Sequence, residues 1–74
     1  MNNKDYILTK KLGKKILLAR VNAGLNQEEL AYKAGVSRAI ISYIERGIKS
    51  PSVETVGAIA NALEIELYKL FMFD

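Results

Sequence analysis

Cysteine and histidine are both missing from this 74-residue chain. Without cysteine there is no disulfide to staple a small fold and no thiolate to bind metal. Without histidine the commonest general base and the commonest metal ligand are gone as well. No Gly-rich phosphate loop is present, and no paired carboxylates accompany an evident pocket. The adjacent Glu28 and Glu29 are better explained as favourable charge near a helix N-terminus. Catalysis, a cofactor and a metal are therefore not expected. No apolar run approaches membrane-spanning length, and the start MNNKDYILTKK lacks the apolar segment of a signal peptide, so a soluble cytoplasmic protein with no membrane partner is expected. Apolar/polar alternation never persists, which argues against strands.

Half of the residues are hydrophobic, enough for one core but not for a core plus a large pocket. The chain lies near the lower end of what folds alone, so an oligomer interface is the remaining way to add buried area. Residues 1–50 hold ten Lys/Arg against four Asp/Glu, a balance of +6, whereas residues 51–74 hold one Lys against four acids, a balance of −3. A basic half with an acidic half behind it suits a polyanion on one side only, although surface charge for solubility produces the same count.

Helical periodicity predicts an all-α fold of five helices, over about residues 9–23, 27–34, 38–46, 52–63 and 66–72, following a short leader at 1–8. Thr9 is the expected cap of the first helix, which carries Leu12, Ile16 and Ala19 as an inward stripe. Gly24 suits a left-handed helix end. Asn26 and Glu29 have capping-box spacing, and Ser37 caps the third helix, which stops at Gly47. Pro51-Ser52, followed by Glu54, starts the fourth helix, with Val53, Val56, Ile59, Ala60 and Leu63 inward. Leu67, Leu70 and Phe71 are expected to turn inward from the fifth.

Residues 27–46, QEELAYKAGVSRAIISYIER, are the most informative stretch. Leu30, Ala31 and Ala34 form one buried face, and Ile41 and Ile44 form another. The small Ala31 lets two helix backbones come close, and Gly35 supplies the positive φ of a sharp interhelical turn. This is a helix-turn-helix, whose second helix fits the DNA major groove.

With the blocks around it, the chain resembles the Xre/Cro/C1 family of phage-repressor-like helix-turn-helix proteins. The likeness covers about residues 11–71. It rests on LGKKI at 12–16, Arg20, GLNQEELA at 24–31, AGVSRAIISYIERG at 34–47, PSVET at 51–55 and IANAL at 59–63. The resemblance implies that Gln27 grips a DNA phosphate, where its amide and the free N–H groups of the helix end both face an anion. Asn26 either adds a phosphate contact or serves only as the cap. Arg38, Ala39, Ser42 and Tyr43 are implied to face the bases. Arg38 suits either guanine O6/N7 or a phosphate, Ala39 a thymine methyl, and Ser42 and Tyr43 a base edge or a phosphate. Ile40 either touches a thymine methyl or packs on the next loop. Arg46 and Lys49 match backbone-contacting positions. Arg20 and Glu45 match a partly buried salt bridge between the first and third helices.

Three departures stand out. Glu64 occupies a position where many relatives have Gly. Leu17, Leu18 and Val21 add apolar residues on a face that the family keeps polar. The closing ELYKLFMFD is rich in apolar side chains for a short helix. Tyr68, Phe71, Met72 and Phe73 either complete a small core or form a homodimer interface. A two-fold dimer would read two half-sites of a palindromic double-stranded operator, about 34 Å apart. A chain of this length is expected to carry no ligand-binding second domain, which leaves regulation to concentration, dimerisation or a protein partner. The expected function is a sequence-specific DNA-binding regulator, a dimeric repressor or autoregulator of the phage repressor/Cro, restriction–modification controller or antitoxin type. The alternative is a protein-interaction adaptor or antitoxin module of the same fold with little DNA binding.

Overall fold

The computed structural model describes residues 3–73. Regular structure in it is helical throughout: α1 Asn3–Asn22, α2 Gln27–Ala34, α3 Arg38–Glu45, α4 Val53–Ala62 and a closing 3-10 helix Leu67–Phe71. The described part of the expected leader is helical. Residues 1 and 2 lie outside the described residues, and residues 3–8 already belong to α1. Thr9 does not cap this helix but is buried within it. The physical reason is local, since no proline or glycine interrupts residues 3–12 and nothing there stops a helix from propagating.

The other starts are capped by side chains. Asn26 Oδ1 accepts from the Glu29 N–H at 2.7 Å, while Glu29 Oε1 accepts from the Asn26 N–H at 2.8 Å, a reciprocal capping box. Ser37 Oγ accepts from the Ile40 N–H at 3.1 Å, and Ser52 Oγ accepts from the Thr55 N–H at 3.1 Å. The four α-helices among the described residues all end in one pattern. In α1 the Leu25 N–H donates to the Arg20 carbonyl while the Gly24 N–H donates to that of Val21, and the same pair of bonds recurs around Gly35, Gly47 and Glu64. This is the Schellman motif, whose pivot residue is left-handed. Gly35, at φ 73°, turns the chain sharply between α2 and α3. Glu64, at φ 57°, makes the same turn with a side chain that opposes it. Its geometry is that of the glycine-ended helices, so the departure at Glu64 leaves the turn intact.

Leu12 and Ile16 of α1, Leu30 and Ala31 of α2, Ile41 and Ile44 of α3, and Val56, Ile59, Ala60 and Leu63 at α4 close around Leu70 of the 3-10 helix. Three expected core residues lie elsewhere. Val53 is 78% exposed, because it opens α4 directly after the Ser52 cap and lies at the open rim of the core rather than within it. Leu67 and Phe71 are also largely exposed, and only Leu70 of that helix is buried. At about three residues per turn, this 3-10 helix sets position 71 about 120° round from the buried position 70, outside the core.

The crossing of α1 over α3 aims the site. Gly13 is buried there, against the carbonyl oxygens of Ile44 and Glu45. A Cβ at this position would collide with the Ile44 carbonyl and stand 3.2 Å from that of Glu45. The backbones touch because residue 13 has no side chain.

Candidate nucleic-acid interface

Glu45, at the last turn of α3, has a side chain only 1% exposed. An isolated carboxylate in such a place would be costly, and three donors surround it. Arg20 Nε donates to Glu45 Oε2 at 2.7 Å and Arg20 Nη2 to Glu45 Oε1 at 3.0 Å, the two-pronged geometry that only a guanidinium offers. Arg20 Nη1 donates to the Leu25 carbonyl at 2.8 Å, which ties the α1–α2 turn into the same cluster. The hydrogen bond to Glu45 raises the Arg20 pKa above its ordinary high value, burial opposes this, and the charge of Glu45 adds to the rise.

Gln27 completes the cluster, donating from Nε2 to Glu45 Oε1 at 3.0 Å. The first residue of α2 is thus fastened to the last turn of α3. Periodicity could not reveal this bond, because it joins side chains eighteen positions apart. Gly13 was also open to notice, since an isolated glycine inside a helical pattern signals close backbone approach.

Held in this way, α3 presents Arg38, Ala39 and Tyr43 to solvent and Ser42 half-buried beside them. Ile40 is half-buried and packs against the core. Arg38 lines a shallow surface cleft with Arg20, Asn26, Gln27 and Glu28, so the start of α3 and the start of α2 face one space. Asn26 Oδ1 is occupied by its cap, whereas the side chain of Arg38 is exposed. At the other end the Arg46 guanidinium lies 5.3 Å from the Tyr43 ring centroid, a cation–π pair on the exposed face. Lys49, two residues beyond the Gly47 pivot, is exposed too.

The four C-terminal candidates lie apart from this face, on or beside the 3-10 helix that packs against α1 and α4. Tyr68, Phe71 and Met72 are exposed. Phe73 packs partly against the core and meets Phe71 edge-on at 6.4 Å between ring centroids.

A helix-turn-helix family model matches residues 16–70. The chain belongs to this Xre/Cro/C1-like helix-turn-helix family. It is similar to an uncharacterised HTH-type transcriptional regulator of Archaeoglobus fulgidus, 40% identical over 55 residues that make up 74% of this chain and 79% of that one. It is also similar to the immunity repressor protein of Bacillus phage phi105, 39% identical over 56 residues, or 76% of this chain. It spans only 39% of that repressor, and 40% of SlrR from Bacillus subtilis. Among solved structures, the restriction-modification controller protein C.AhdI from Aeromonas hydrophila superposes with a TM-score of 0.84 at 35% identity, over 85% of this chain and 96% of that one. Within the family fold found here, no helix of the described residues is long and apolar enough to cross a membrane.

Proposed function

We propose that this chain is a sequence-specific DNA-binding transcriptional regulator that acts as a dimeric repressor or autoregulator. The observation that carries the reading is the Arg20–Glu45–Gln27 cluster, which fixes the exposed face of α3 relative to the start of α2. A rigid reading helix with cationic side chains at both ends is what major-groove recognition requires. Arg38, Ala39, Ser42 and Tyr43 face the bases. Gln27, Arg46 and Lys49 take phosphates, and the side-chain NH2 of Asn26, whose Oδ1 and backbone N–H serve the capping box, adds a donor. Gln27 keeps a second amide N–H for this purpose while the first holds Glu45.

Dimerisation is supported by exposed apolar surface that the small core does not cover. An open groove of about 540 Å³ is lined by Leu8, Leu12, Val53, Val56, Leu67 and Phe71. Tyr68 and Met72 stand exposed on the same closing segment. Exposed apolar surface of this kind suits a second copy, and such a dimer would read a palindromic operator in two half-sites.

Selection of bound duplexes from a random pool tests the proposal. A palindromic consensus with half-sites about one helical turn apart is expected, and Arg38→Ala should relax preference at one position in each half. Uniform weakening on every sequence would instead make Arg38 a phosphate contact. A second reading, a protein-interaction module of this fold, draws on exposed Ile7, Leu18 and Val21 along the outer side of α1. Failure to bind random duplex at about 50 mM salt would favour it over the regulator.

A further inference from the structure

Along α1, Tyr6, Lys10, Gly13, Leu17 and Arg20 recur at spacings of four and three, the pattern of a single helix face. Two members of this stripe have jobs already described: Arg20 grips Glu45, and Gly13 touches the carbonyls of Ile44 and Glu45. The stripe then runs on past the end of α3. Lys10 packs against Gly47, so closely that a Cβ on Gly47 would stand 2.6 Å from Lys10 Cγ and 3.1 Å from its Cα. Gly47 lies between Arg46 and the loop leading to Lys49. The α1 stripe therefore delivers a third cation to the end of the recognition helix where Arg46 and Lys49 already lie.

This lysine is held in place. Its stem is fixed by the Gly47 backbone, and its ammonium lies 5.0 Å from the Tyr6 ring centroid. One side of the ammonium faces the ring, and its remaining N–H donors stay available. Fixing a rotamer-rich side chain before binding removes part of the entropy cost of a contact. The same device recurs across Gly47, where Arg46 stacks on Tyr43. Tyr6 and Lys10 both precede residue 16, where the family match begins.

We propose that Lys10, pinned between Tyr6 and Gly47, is a further DNA-backbone contact that extends the interface from the recognition helix onto the amino-terminal half of α1. It rests on the DNA-binding reading above. Its contact is to phosphodiester oxygens, so it adds affinity without sequence preference.

The test is a salt titration of the full chain on a random-sequence duplex, comparing wild type with Lys10→Ala, Lys10→Arg, Arg46→Ala and Lys11→Ala. Loss of one phosphate contact lowers the slope of log K against log salt by about 0.9 for each protomer bound. Lys10→Ala should show that drop, with affinity reduced several-fold alike on all sequences. Lys10→Arg should keep the wild-type slope, and Lys11→Ala, on a different side of α1, should match wild type. A wild-type slope for Lys10→Ala, with Arg46→Ala still lowering it, overturns the role of Lys10 and leaves the regulator reading standing. A lower melting temperature with an unchanged slope assigns Lys10 to helix packing and also overturns it. A wild-type chain that binds no duplex at about 50 mM salt overturns both.

Discussion

Gly13 of α1 and Ile44 of α3 meet backbone to backbone, and the carbonyl oxygen of Ile44 fills the space where a side chain on residue 13 would begin. The angle of the recognition helix against its support depends on that contact. The clash would set a Cβ fixed rigidly to the α1 backbone against a main-chain carbonyl of α3, so neither can swing aside as a flexible side chain would.

Gly13→Ala should therefore destabilise the fold, even though alanine is the better helix former by about 1 kcal/mol. Overpacking of this kind costs about 1–3 kcal/mol, and rigid backbone places the site at the upper end. A net loss near 2 kcal/mol corresponds to a melting temperature lower by roughly 8–16 °C in a domain this small. A variant that melts at or above wild type would show that the two helices separate freely.

Glu45→Ala removes the carboxylate that Arg20 and Gln27 share. Breaking a buried ion pair by deleting one partner costs about 3–5 kcal/mol, because the other charge is left uncompensated. Thermal unfolding should fall by well over 10 °C on the same scale. A change under about 2 °C would mean that the pair contributes no more than an exposed one. The raised pKa of Arg20 sets the sign of the pH dependence. The stability it contributes is fully present below the unfolded-state pKa and is lost only as pH rises through the still higher folded value. Arg20 should therefore add no slope to stability between about pH 6 and 9.

Glu64→Gly should stabilise the protein. The left-handed turn costs a non-glycine residue about 1–2 kcal/mol, and part of the gain is offset by the greater freedom of glycine in the unfolded chain. A rise of about 0.5–1 kcal/mol, read from chemical denaturation at unchanged slope, is expected. A decrease would imply that the Glu64 side chain makes a compensating interaction.

Phe71→Glu should separate the proposed dimer. Phe71 is 46% exposed and lines the apolar groove beside the 3-10 helix, so the added charge meets solvent in a monomer but is buried in an assembly. Sedimentation at micromolar concentration should show wild-type dimers and variant monomers with the same helix content. A wild-type monomer removes the interface.

Much of the helical framework was legible because its signals are local. Asn26, Ser37 and Ser52 announce helix starts through hydrogen bonds that span three residues. Gly24, Gly35 and Gly47 announce helix ends through a backbone preference of their own. The misread positions lie where a local rule met a tertiary condition. Thr9 has the chemistry of a cap, yet α1 continues upstream and buries it. Phe71 suits an α-helical stripe, but the last element winds as a 3-10 helix and leaves the ring outside.

The chain by itself determined the helices, the turn at Gly35 and the membership of a family, since periodicity, capping and motif spacing act over a few residues at a time. Only the tertiary structure decided that Gln27 is tied to Glu45, that Gly13 sets the contact between α1 and α3, and that Lys10 arrives beside Gly47. Those relationships join residues 18 to 37 positions apart. Which atoms meet across such a distance depends on how whole helices pack, and helix packing is settled by the shape of the shared core rather than by any one segment.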